Sequence, residues 1–262
     1  MKVPAERVMP WLREPSVSGV LTDFDGTVAP IVQDPAAAVP LPGTGAVLAR
    51  LAERYARVAV ISGRPVAYLV DRLGVCPGVI LCGLYGLEQA RDGVTAELPA
   101  AAPWRATVDR VAAAADRDAP AGVGVERKGL SVVLHVRMMP SRAGWARLWA
   151  EEQAAGSGLV VHEAKMAVEL LPPVPIDKGT VVQRLAEGLS RVCYLGDDRG
   201  DLPAFAALAA LADRGVDTLA VAVDSDETPP EVRHAADVVV PGPKGALALL
   251  AALAGDPCPG SS

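Results

Sequence analysis

Two carboxylates stand two residues apart near the start of the chain, directly after a short apolar segment. Asp23 and Asp25 belong to the segment Asp23–Thr27, which reads DFDGT and follows Val20-Leu21. Residues two apart at a strand end project to the same side, so these carboxylates repel each other unless a cation or a proton lies between them. A carboxylate can attack phosphorus as a nucleophile, and a neighbouring acid can protonate the leaving oxygen and then activate water. The pair predicts phosphoryl transfer with Asp23 as nucleophile and Asp25 as acid and base; a solvated Asp-Gly turn is the alternative.

The carboxylates of this segment and of a later acidic loop are suited to Mg²⁺. This cation prefers a few oxygen ligands together with a substrate phosphate. The loop Gly196–Asp201 reads GDDRGD and follows another apolar segment. Its acidic residues can complete a metal site begun at Asp23, with a plain acidic loop as the alternative. These residues are Asp197, Asp198 and Asp201.

Two further polar segments could bind phosphate. Ser62-Gly63-Arg64 follows an apolar segment and precedes a helical pattern, and a hydroxyl with free backbone amides at a helix start forms an anion site. Ser62 could also cap that helix. Lys178 begins a later helical pattern, where a lysine is poorly placed for the helix dipole. It is better explained as a group that neutralises phosphate and orients Asp23.

Each of these strand-end segments lies within a regular alternation of short apolar strands and longer amphipathic segments. The strands lead into polar residues, among them Asp23, Ser62 and Asp197. Helical patterns lie between the strands, at residues 44–55, 66–73, 179–189, 203–212 and 244–253. This rhythm predicts a parallel sheet with helices on both faces. Ligands of such sheets bind beyond the carboxyl ends of the strands, where these polar residues are expected.

The middle of the chain breaks this alternation. From about Trp104 to Leu171 the strands look antiparallel around a helix predicted at 143–153, which is a compact α+β pattern. Clustered prolines stand on both sides of this region and suit hinges that stop helix and sheet. We therefore expect one core domain formed by residues 1–102 and 174–262, with an inserted cap domain at residues 103–173.

Composition and charge exclude several classes of protein. The chain has 262 residues and a formal net charge of -6, so it has no general attraction for nucleic acid. No apolar run is long enough to span a bilayer, and residues 1–10 lack the apolar core of a signal peptide. We expect a cytoplasmic protein whose partner is a small molecule rather than nucleic acid or a membrane.

The four polar segments, in this order, resemble the four sequence motifs of the haloacid-dehalogenase superfamily. The resemblance implies a Rossmann-like parallel-sheet core. It also implies that Asp23 is the nucleophile, that Asp25 is the acid and base, and that Asp197 joins Asp23 and the Asp25 carbonyl on Mg²⁺. Lys178 and the hydroxyl and amide groups of four other residues would hold the phosphate. Those four are Thr27, Ser62, Gly63 and Arg64.

Over nearly its full length the chain also resembles trehalose-6-phosphate phosphatases. The first motif continues as DGTVAPI and the second reads VISGR, while the middle region carries VERKGLS, HVR and KMAVE. In that family, Glu/Lys and Lys/Glu pairs of the cap bind hydroxyls of the sugar ring that carries no phosphate. The members of each pair share a strand face, although ordinary cross-strand ion pairs would share it too. By position these cap residues are Glu126, Lys128, Lys165 and Glu169.

Two departures from the family pattern leave the substrate open. Tyr85 stands where the family usually has the histidine of Gly-x-His-Gly, and Gly200 and Leu202 replace a threonine and a glutamate of the fourth motif. We expect a Mg²⁺-dependent phosphatase of a sugar phosphate monoester, first of all trehalose 6-phosphate. One alternative is a phosphatase for a related sugar or pseudo-disaccharide phosphate of a biosynthetic pathway. Others are a phosphomutase that shields its aspartyl-phosphate from water, and a catalytically silent regulatory protein that binds sugar phosphate.

Overall fold

The computed structural model describes residues 5–32, 37–164 and 166–256. Lys165, one of the four cap residues named above, lies outside the described residues. The chain divides into two compact units, one formed by residues 1–96 and 176–262 and the other by residues 97–175. Within the described part of the chain, no helix is long and apolar enough to cross a lipid bilayer.

The elements are numbered in chain order. The strands are β1 (Ser18–Thr22), β2 (Arg57–Ile61), β3 (Ile80–Gly83), β4 (Glu88–Arg91), β5 (Val94–Glu97), β6 (Gly124–Arg127), β7 (Val132–His135), β8 (Val160–Ala164), β9 (Ala167–Leu171), β10 (Arg191–Gly196), β11 (Asp217–Asp224) and β12 (Val238–Pro241). The helices are α1 (Ala5–Arg13), α2 (Thr44–Arg54), α3 (Val66–Leu73), α4 (Arg105–Asp118), α5 (Ala143–Ser157), α6 (Lys178–Leu185), α7 (Leu202–Ala212), α8 (Pro230–Ala235) and α9 (Gly242–Leu253).

The first unit is built on an eight-stranded sheet in the order β12-β11-β10-β1-β2-β3-β4-β5. The strands from β12 to β3 pair in parallel, and β4 joins β3 in antiparallel fashion. Every residue of β1 is buried, as expected for a parallel strand covered on both faces. The central strand β1 lies between β10 and β2, so the residues that follow these three strands meet at one edge of the sheet.

Alternation along the strands divides the apolar residues of the first unit between two layers. Val20 packs with apolar residues of α2, α3 and α9 on one face of the sheet. Its neighbour Leu21 packs with α6, α7 and α8 on the other face. The sheet is therefore held between two helical layers, which fixes the strand ends relative to the starts of the helices.

The second unit is a four-stranded antiparallel sheet in the order β6-β7-β9-β8. Alternate residues of its strands, such as Leu134 and Leu170, are fully buried against α4 and α5. Val108 of α4 and Trp149 of α5 belong to the same cluster. One face of this sheet thus forms an apolar core, and the residues between the core positions lie on the other face.

These two architectures confirm the predicted fold class, a parallel α/β core with an inserted α+β unit. The helix predicted at 179–189 ends at Leu185, and Gly188 adopts a left-handed φ of 74° soon afterwards. The strands β4 and β5 are not predicted by the sequence. The segment of β4 reads EQAR, which lacks apolar alternation, and most of β5 is exposed.

Candidate active site

Adjacent strand ends bring the predicted nucleophile and the acidic loop together. Asp23 follows β1 and Asp197 follows β10, and these strands are paired in parallel. The backbone amide of Asp23 donates to the carbonyl oxygen of Leu195 at 2.8 Å, which extends the pairing to the predicted nucleophile. Both aspartates are almost fully buried. The carboxyl edge of the sheet thus collects these groups, as in other parallel α/β folds.

Lys178 contacts the predicted nucleophile directly. It is 4% exposed, and its Nζ lies 2.8 Å from Asp23 Oδ1 and 2.7 Å from Asp201 Oδ1. Asp177 caps α6 by accepting a hydrogen bond from Thr180 N at 2.7 Å, which makes Lys178 the first residue of the helix. Burial opposes the charge of the lysine, but the carboxylates of Asp201 and Asp23 outweigh it and raise the pKa of Lys178 well above its ordinary value. Lys178 is therefore a fixed positive charge beside Asp23.

Three buried carboxylates form one cluster around this lysine. One oxygen of each of Asp23, Asp197 and Asp201 lies within 4.8 Å of the others. When all three carboxylates are ionised, their negative charge exceeds the positive charge of Lys178. Burial, reinforced by the neighbouring carboxylates, raises the pKa of Asp23 well above its ordinary value and the pKa of Asp197 to about 8. Oxygen ligands with excess negative charge suit a hard divalent cation, so this cluster could bind one.

Gly26 and Thr27 fit closely around Asp197. Gly26 has a φ of 79°, and a Cβ at this position would collide with Asp197 Oδ2. Only glycine satisfies both the left-handed backbone and the close approach. Thr27 Oγ1 donates a hydrogen bond to Asp197 Oδ1 at 3.0 Å. The hydroxyl that the sequence predicts as a phosphate ligand thus orients the Asp197 carboxylate in this structure.

Ser62 follows β2 and is buried, but it does not cap the next helix. α3 begins at Val66, and Pro65 precedes it without a side-chain cap. Ser62 Oγ instead accepts a hydrogen bond from the backbone amide of Arg64 at 3.1 Å. The suggested helix-capping role of Ser62 is therefore wrong. Arg64 precedes a proline, which disfavours the helical conformation of Arg64, and the helix starts only after Pro65.

Arg64 pairs with the predicted acid and base. Its Nε lies 2.8 Å from Asp25 Oδ2 and its Nη2 lies 2.9 Å from Asp25 Oδ1, so the pair is forked. The guanidinium carbon also lies 4.7 Å from the ring centroid of Tyr68, within cation–π range. The sequence predicts Arg64 as a phosphate ligand, whereas in this structure its guanidinium holds the carboxylate of Asp25.

The loop that contains Tyr85 lies on the turn after β2. The Leu84 amide donates to the Arg64 carbonyl oxygen at 3.0 Å, and the Tyr85 amide donates to the Ser62 carbonyl oxygen at 2.9 Å. Leu84 and Tyr85 have φ values of 49° and 59°, which cost roughly 1–2 kcal/mol for each residue other than glycine. A Cβ on Gly63 would lie 2.7 Å from the Tyr85 hydroxyl oxygen. This strained loop thus places Tyr85 beside the turn that is predicted to bind phosphate.

Cross-strand register places polar residues on one face of the second unit's sheet. Glu126 of β6 and Glu169 of β9 are both opposite Val133 of β7, and His162 of β8 is opposite Glu169. These residues are therefore on the same face, as is His135, which lies two positions from Val133. We call this surface, which also includes Lys128 and Ser131, the polar face of the second unit.

Hydrogen bonds order the acidic residues of the polar face. Glu169 is buried, and its Oε1 lies 2.6 Å from Ser131 Oγ and 3.4 Å from Lys128 Nζ. His135 Nε2 lies 2.7 Å from Glu126 Oε2. Three of the four predicted sugar-binding residues thus share one face; the fourth, Lys165, falls outside the described residues.

The sequence patterns do not single out two residues of these networks, Tyr194 and Ser131. Tyr194 belongs to β10, and its hydroxyl donates to Asp201 Oδ1 at 2.6 Å. A polar hydroxyl in the apolar run VCYLG just before the acidic loop is the signal that could have found Tyr194. Ser131 offers a weaker signal, since serine is common in the short connections between strands.

Several mycobacterial proteins named trehalose-phosphate phosphatase are similar to this chain in sequence. The trehalose-phosphate phosphatase of Mycobacterium avium (strain 104) is 38% identical over 204 residues, covering 72% of this chain and 51% of that protein. The trehalose-phosphate phosphatase of Mycobacterium leprae (strain TN) is 34% identical over 215 residues, covering 75% of this chain and 48% of that protein. The chain thus spans about half the length of the curated relatives that it matches.

Solved structures share the fold along nearly the whole chain. The C-terminal domain of the C. albicans trehalose-6-phosphate phosphatase is 24% identical, with a TM-score of 0.73 and 97% of both chains covered. A trehalose-6-phosphate phosphatase related protein is 22% identical, with a TM-score of 0.75 and coverage of 90% of this chain and 96% of that chain. The profile of the trehalose-phosphatase family matches residues 21–239. Because this match includes both units and most of the chain, the protein belongs to the trehalose-phosphatase family.

Proposed function

We propose that the protein is a Mg²⁺-dependent phosphatase of a sugar phosphate monoester, with trehalose 6-phosphate as the first candidate substrate. The observation that carries this proposal is the contact between Lys178, at the start of α6, and Asp23. Asp23 and Asp197 lie close together at the buried ends of neighbouring strands. A nucleophilic carboxylate, a fixed positive charge and an acidic cluster suit phosphoryl transfer through an aspartyl-phosphate. The names of the mycobacterial relatives favour a trehalose phosphate among sugar phosphates.

The proposed roles follow from the contacts of each side chain. Asp23 attacks phosphorus, while Lys178 orients the attacking carboxylate and neutralises negative charge on the phosphate. Asp25 donates a proton to the leaving sugar oxygen and then takes one from the water that hydrolyses the aspartyl-phosphate. Arg64 takes one acceptor position on each oxygen of Asp25 and fixes the carboxylate, which leaves each oxygen a second position for substrate or water. Ser62 and the amides of its turn are the proposed phosphate-binding groups.

The acidic cluster is the proposed site of Mg²⁺. Asp23, Asp197 and the backbone carbonyl of Asp25 would hold the cation, which would offset negative charge on the phosphate. Asp198 has a supporting role, because its Oδ1 accepts a hydrogen bond from Gly200 N at 2.8 Å and shapes the acidic loop. We also propose that the second unit, residues 97–175, contains the cap domain expected at residues 103–173, and that Glu126, Lys128, Lys165 and Glu169 bind sugar hydroxyls.

Without Mg²⁺, the melting temperature should fall as the pH rises from about 5 to 8. The pKa of Asp197 is about 8 in the folded protein, whereas an unfolded aspartate titrates near about 4. Between these values the folded state binds a proton that the unfolded state lacks, so raising the pH removes stability. Mg²⁺ should abolish this fall because the cation takes the place of the proton. Thermal unfolding in EDTA and in excess Mg²⁺ across this pH range measures both effects.

The substitution Asp197→Asn should weaken the fall of melting temperature with pH in EDTA without abolishing it, because the raised pKa of Asp23 also contributes to this fall. The matched control is Asp237→Asn, which changes an aspartate that accepts a hydrogen bond from Ala220 N elsewhere in the same unit. This control should keep the fall. A melting temperature that stays level or rises with pH in the unaltered protein would show that the acidic cluster is not protonated as described.

Replacing Glu169 by glutamine should raise the KM for trehalose 6-phosphate by roughly 10-fold, the effect of one hydrogen bond to a charged group. The KM for p-nitrophenyl phosphate should stay unchanged, because this substrate has no sugar. Glu163→Gln is the control, since Glu163 is exposed on the opposite face of the same sheet. An equal change of KM for both substrates would remove Glu169 from sugar recognition.

A panel of phosphate esters tests the proposed function and its alternatives. Phosphate release with Mg²⁺ and with EDTA is measured on trehalose 6-phosphate, related disaccharide phosphates and hexose phosphates. We expect the highest kcat/KM for trehalose 6-phosphate in Mg²⁺ and no release in EDTA. Preference for another disaccharide phosphate would correct the substrate, phosphate transfer to a second sugar would indicate a mutase, and tight binding without release would indicate a regulatory protein.

A further inference from the structure

The buried carboxylate of Asp201 has every acceptor position filled. Its Oδ1 accepts from Lys178 Nζ at 2.7 Å and from the Tyr194 hydroxyl at 2.6 Å. Its Oδ2 accepts from the backbone amides of Asp197 at 2.8 Å and Asp198 at 3.1 Å. A carboxylate offers about four lone-pair positions, so these four donors saturate it. Asp201 could contact a cation only by giving up one of these donors, although one of its oxygens lies within the acidic cluster.

Asp201 therefore organises its neighbours. Its two backbone donors belong to the acidic loop and fix the direction in which the Asp197 carboxylate leaves the strand. A Cβ on Gly196 would collide with Asp201 Cγ, so the strand end lies directly against this carboxylate. The remaining oxygen, Oδ1, is shared by Lys178 and Tyr194, which makes the position of the lysine depend on the tyrosine.

Tyr194 is packed so that its buried hydroxyl is directed at Asp201. The residue is fully buried in β10, and its ring meets that of Phe205 edge to face, with centroids 6.1 Å apart and an interplanar angle of 79°. Burial, together with the charge of Asp201, raises the pKa of Tyr194 well above its ordinary value, so the hydroxyl stays protonated as a donor. The rigid ring leaves the donor little freedom to follow Asp201 if that carboxylate moves.

We propose that Tyr194 is a positioning residue for phosphoryl transfer, whose hydroxyl holds Asp201 Oδ1 so that Lys178 Nζ remains shared between Asp201 and Asp23. Lys178 Nζ is nearly equidistant from the two carboxylates, at 2.7 and 2.8 Å. Without the hydroxyl, Lys178 is the one donor to Asp201 Oδ1 that remains among the described residues, and this oxygen draws the lysine away from Asp23. The lysine then neutralises less of the charge that develops on the transferring phosphoryl group. This inference rests on the proposed function, because it assigns Lys178 a role in that reaction.

The test compares Tyr194→Phe with Tyr55→Phe. Tyr55 is a second buried tyrosine of the first unit, and its hydroxyl donates to the Leu253 carbonyl oxygen at 3.1 Å within the apolar layer on the other face of the sheet. Each variant loses one buried phenolic hydroxyl, so both should lower the melting temperature. Only Tyr194→Phe should lower kcat, by roughly 10-fold, with KM within about twofold of its original value.

A transition-state analogue separates positioning from a merely structural effect. Orthovanadate binding is measured by calorimetry in excess Mg²⁺ on the original chain and both variants. Its Kd should rise roughly 10-fold in Tyr194→Phe and remain unchanged in Tyr55→Phe, because positioned charges act chiefly on the transition state. Unchanged kcat and vanadate affinity in Tyr194→Phe, or equal losses in both variants, would overturn the inference. Failure of the original chain to hydrolyse any sugar phosphate would overturn the proposed function instead, and the vanadate comparison would still decide on Tyr194.

Discussion

Asp23→Asn should lower the kcat of phosphate release by at least about 1,000-fold, as expected when a covalent nucleophile is removed. An amide oxygen does not attack phosphorus, and it does not offer Lys178 the anionic partner that Asp23 Oδ1 provides at 2.8 Å. The asparagine side chain has nearly the same shape, so the strand end should keep its backbone hydrogen bond to Leu195. Steady-state phosphate release at saturating substrate and Mg²⁺ measures the loss.

The control for this substitution is again Asp237→Asn, which should keep the original kcat. Circular dichroism and the melting temperature of Asp23→Asn establish that the variant is folded at the assay temperature. If folded Asp23→Asn retained a kcat within about 10-fold of the original value, the nucleophile would have to be another residue.

Lys178→Met should lower kcat by about 100-fold or more and lower the free energy of unfolding by about 3–5 kcal/mol, because it leaves buried carboxylates without their counter-charge. Asp23 and Asp201 are the two carboxylates that lose their ammonium partner. Kinetic assays and urea unfolding in EDTA measure the two effects. Added Mg²⁺ should recover part of the stability and little of the activity, because the cation offsets charge but does not orient Asp23.

The control for the lysine is Lys244→Met. Lys244 is also in the first turn of a helix, α9, but its side chain is exposed. This variant should keep both kcat and stability. Loss of stability without loss of kcat in Lys178→Met would limit the lysine to a structural role.

The positions of Asp23, Lys178 and Asp197 could be predicted because each directly follows a strand or begins a helix of the core. Parallel pairing of β1 and β10 brings Asp23 and Asp197 to one edge of the sheet, and the start of α6 places Lys178 against Asp23. The sequence also predicts Thr27 at this edge, but the hydrogen bond that Thr27 donates to Asp197 depends on the left-handed turn at Gly26. A local pattern therefore predicts where a group lies better than it predicts which atom it contacts.

The contacts that escape prediction depend on how separate elements pack against each other rather than on a local sequence pattern. The pairing of Arg64 with Asp25 depends on how the turns after β1 and β2 approach each other, and nothing in the segment SGR specifies it. Tyr194 reaches Asp201 because β10 and the start of α7 pack side by side. The sequence does not predict the β4–β5 hairpin for another reason. β4 reads EQAR without apolar alternation, and β5 is a four-residue strand that is mostly exposed at the sheet edge.

Trapping the covalent intermediate tests the central claim most directly. The protein is mixed with an excess of trehalose 6-phosphate in Mg²⁺, quenched within one turnover, reduced with borohydride and digested. Borohydride converts an aspartyl-phosphate to homoserine, which tandem mass spectrometry locates in the sequence. We predict homoserine at position 23 in the original chain and none in Asp23→Asn; homoserine at another aspartate, or none at position 23 while phosphate is released, would contradict Asp23 as the nucleophile.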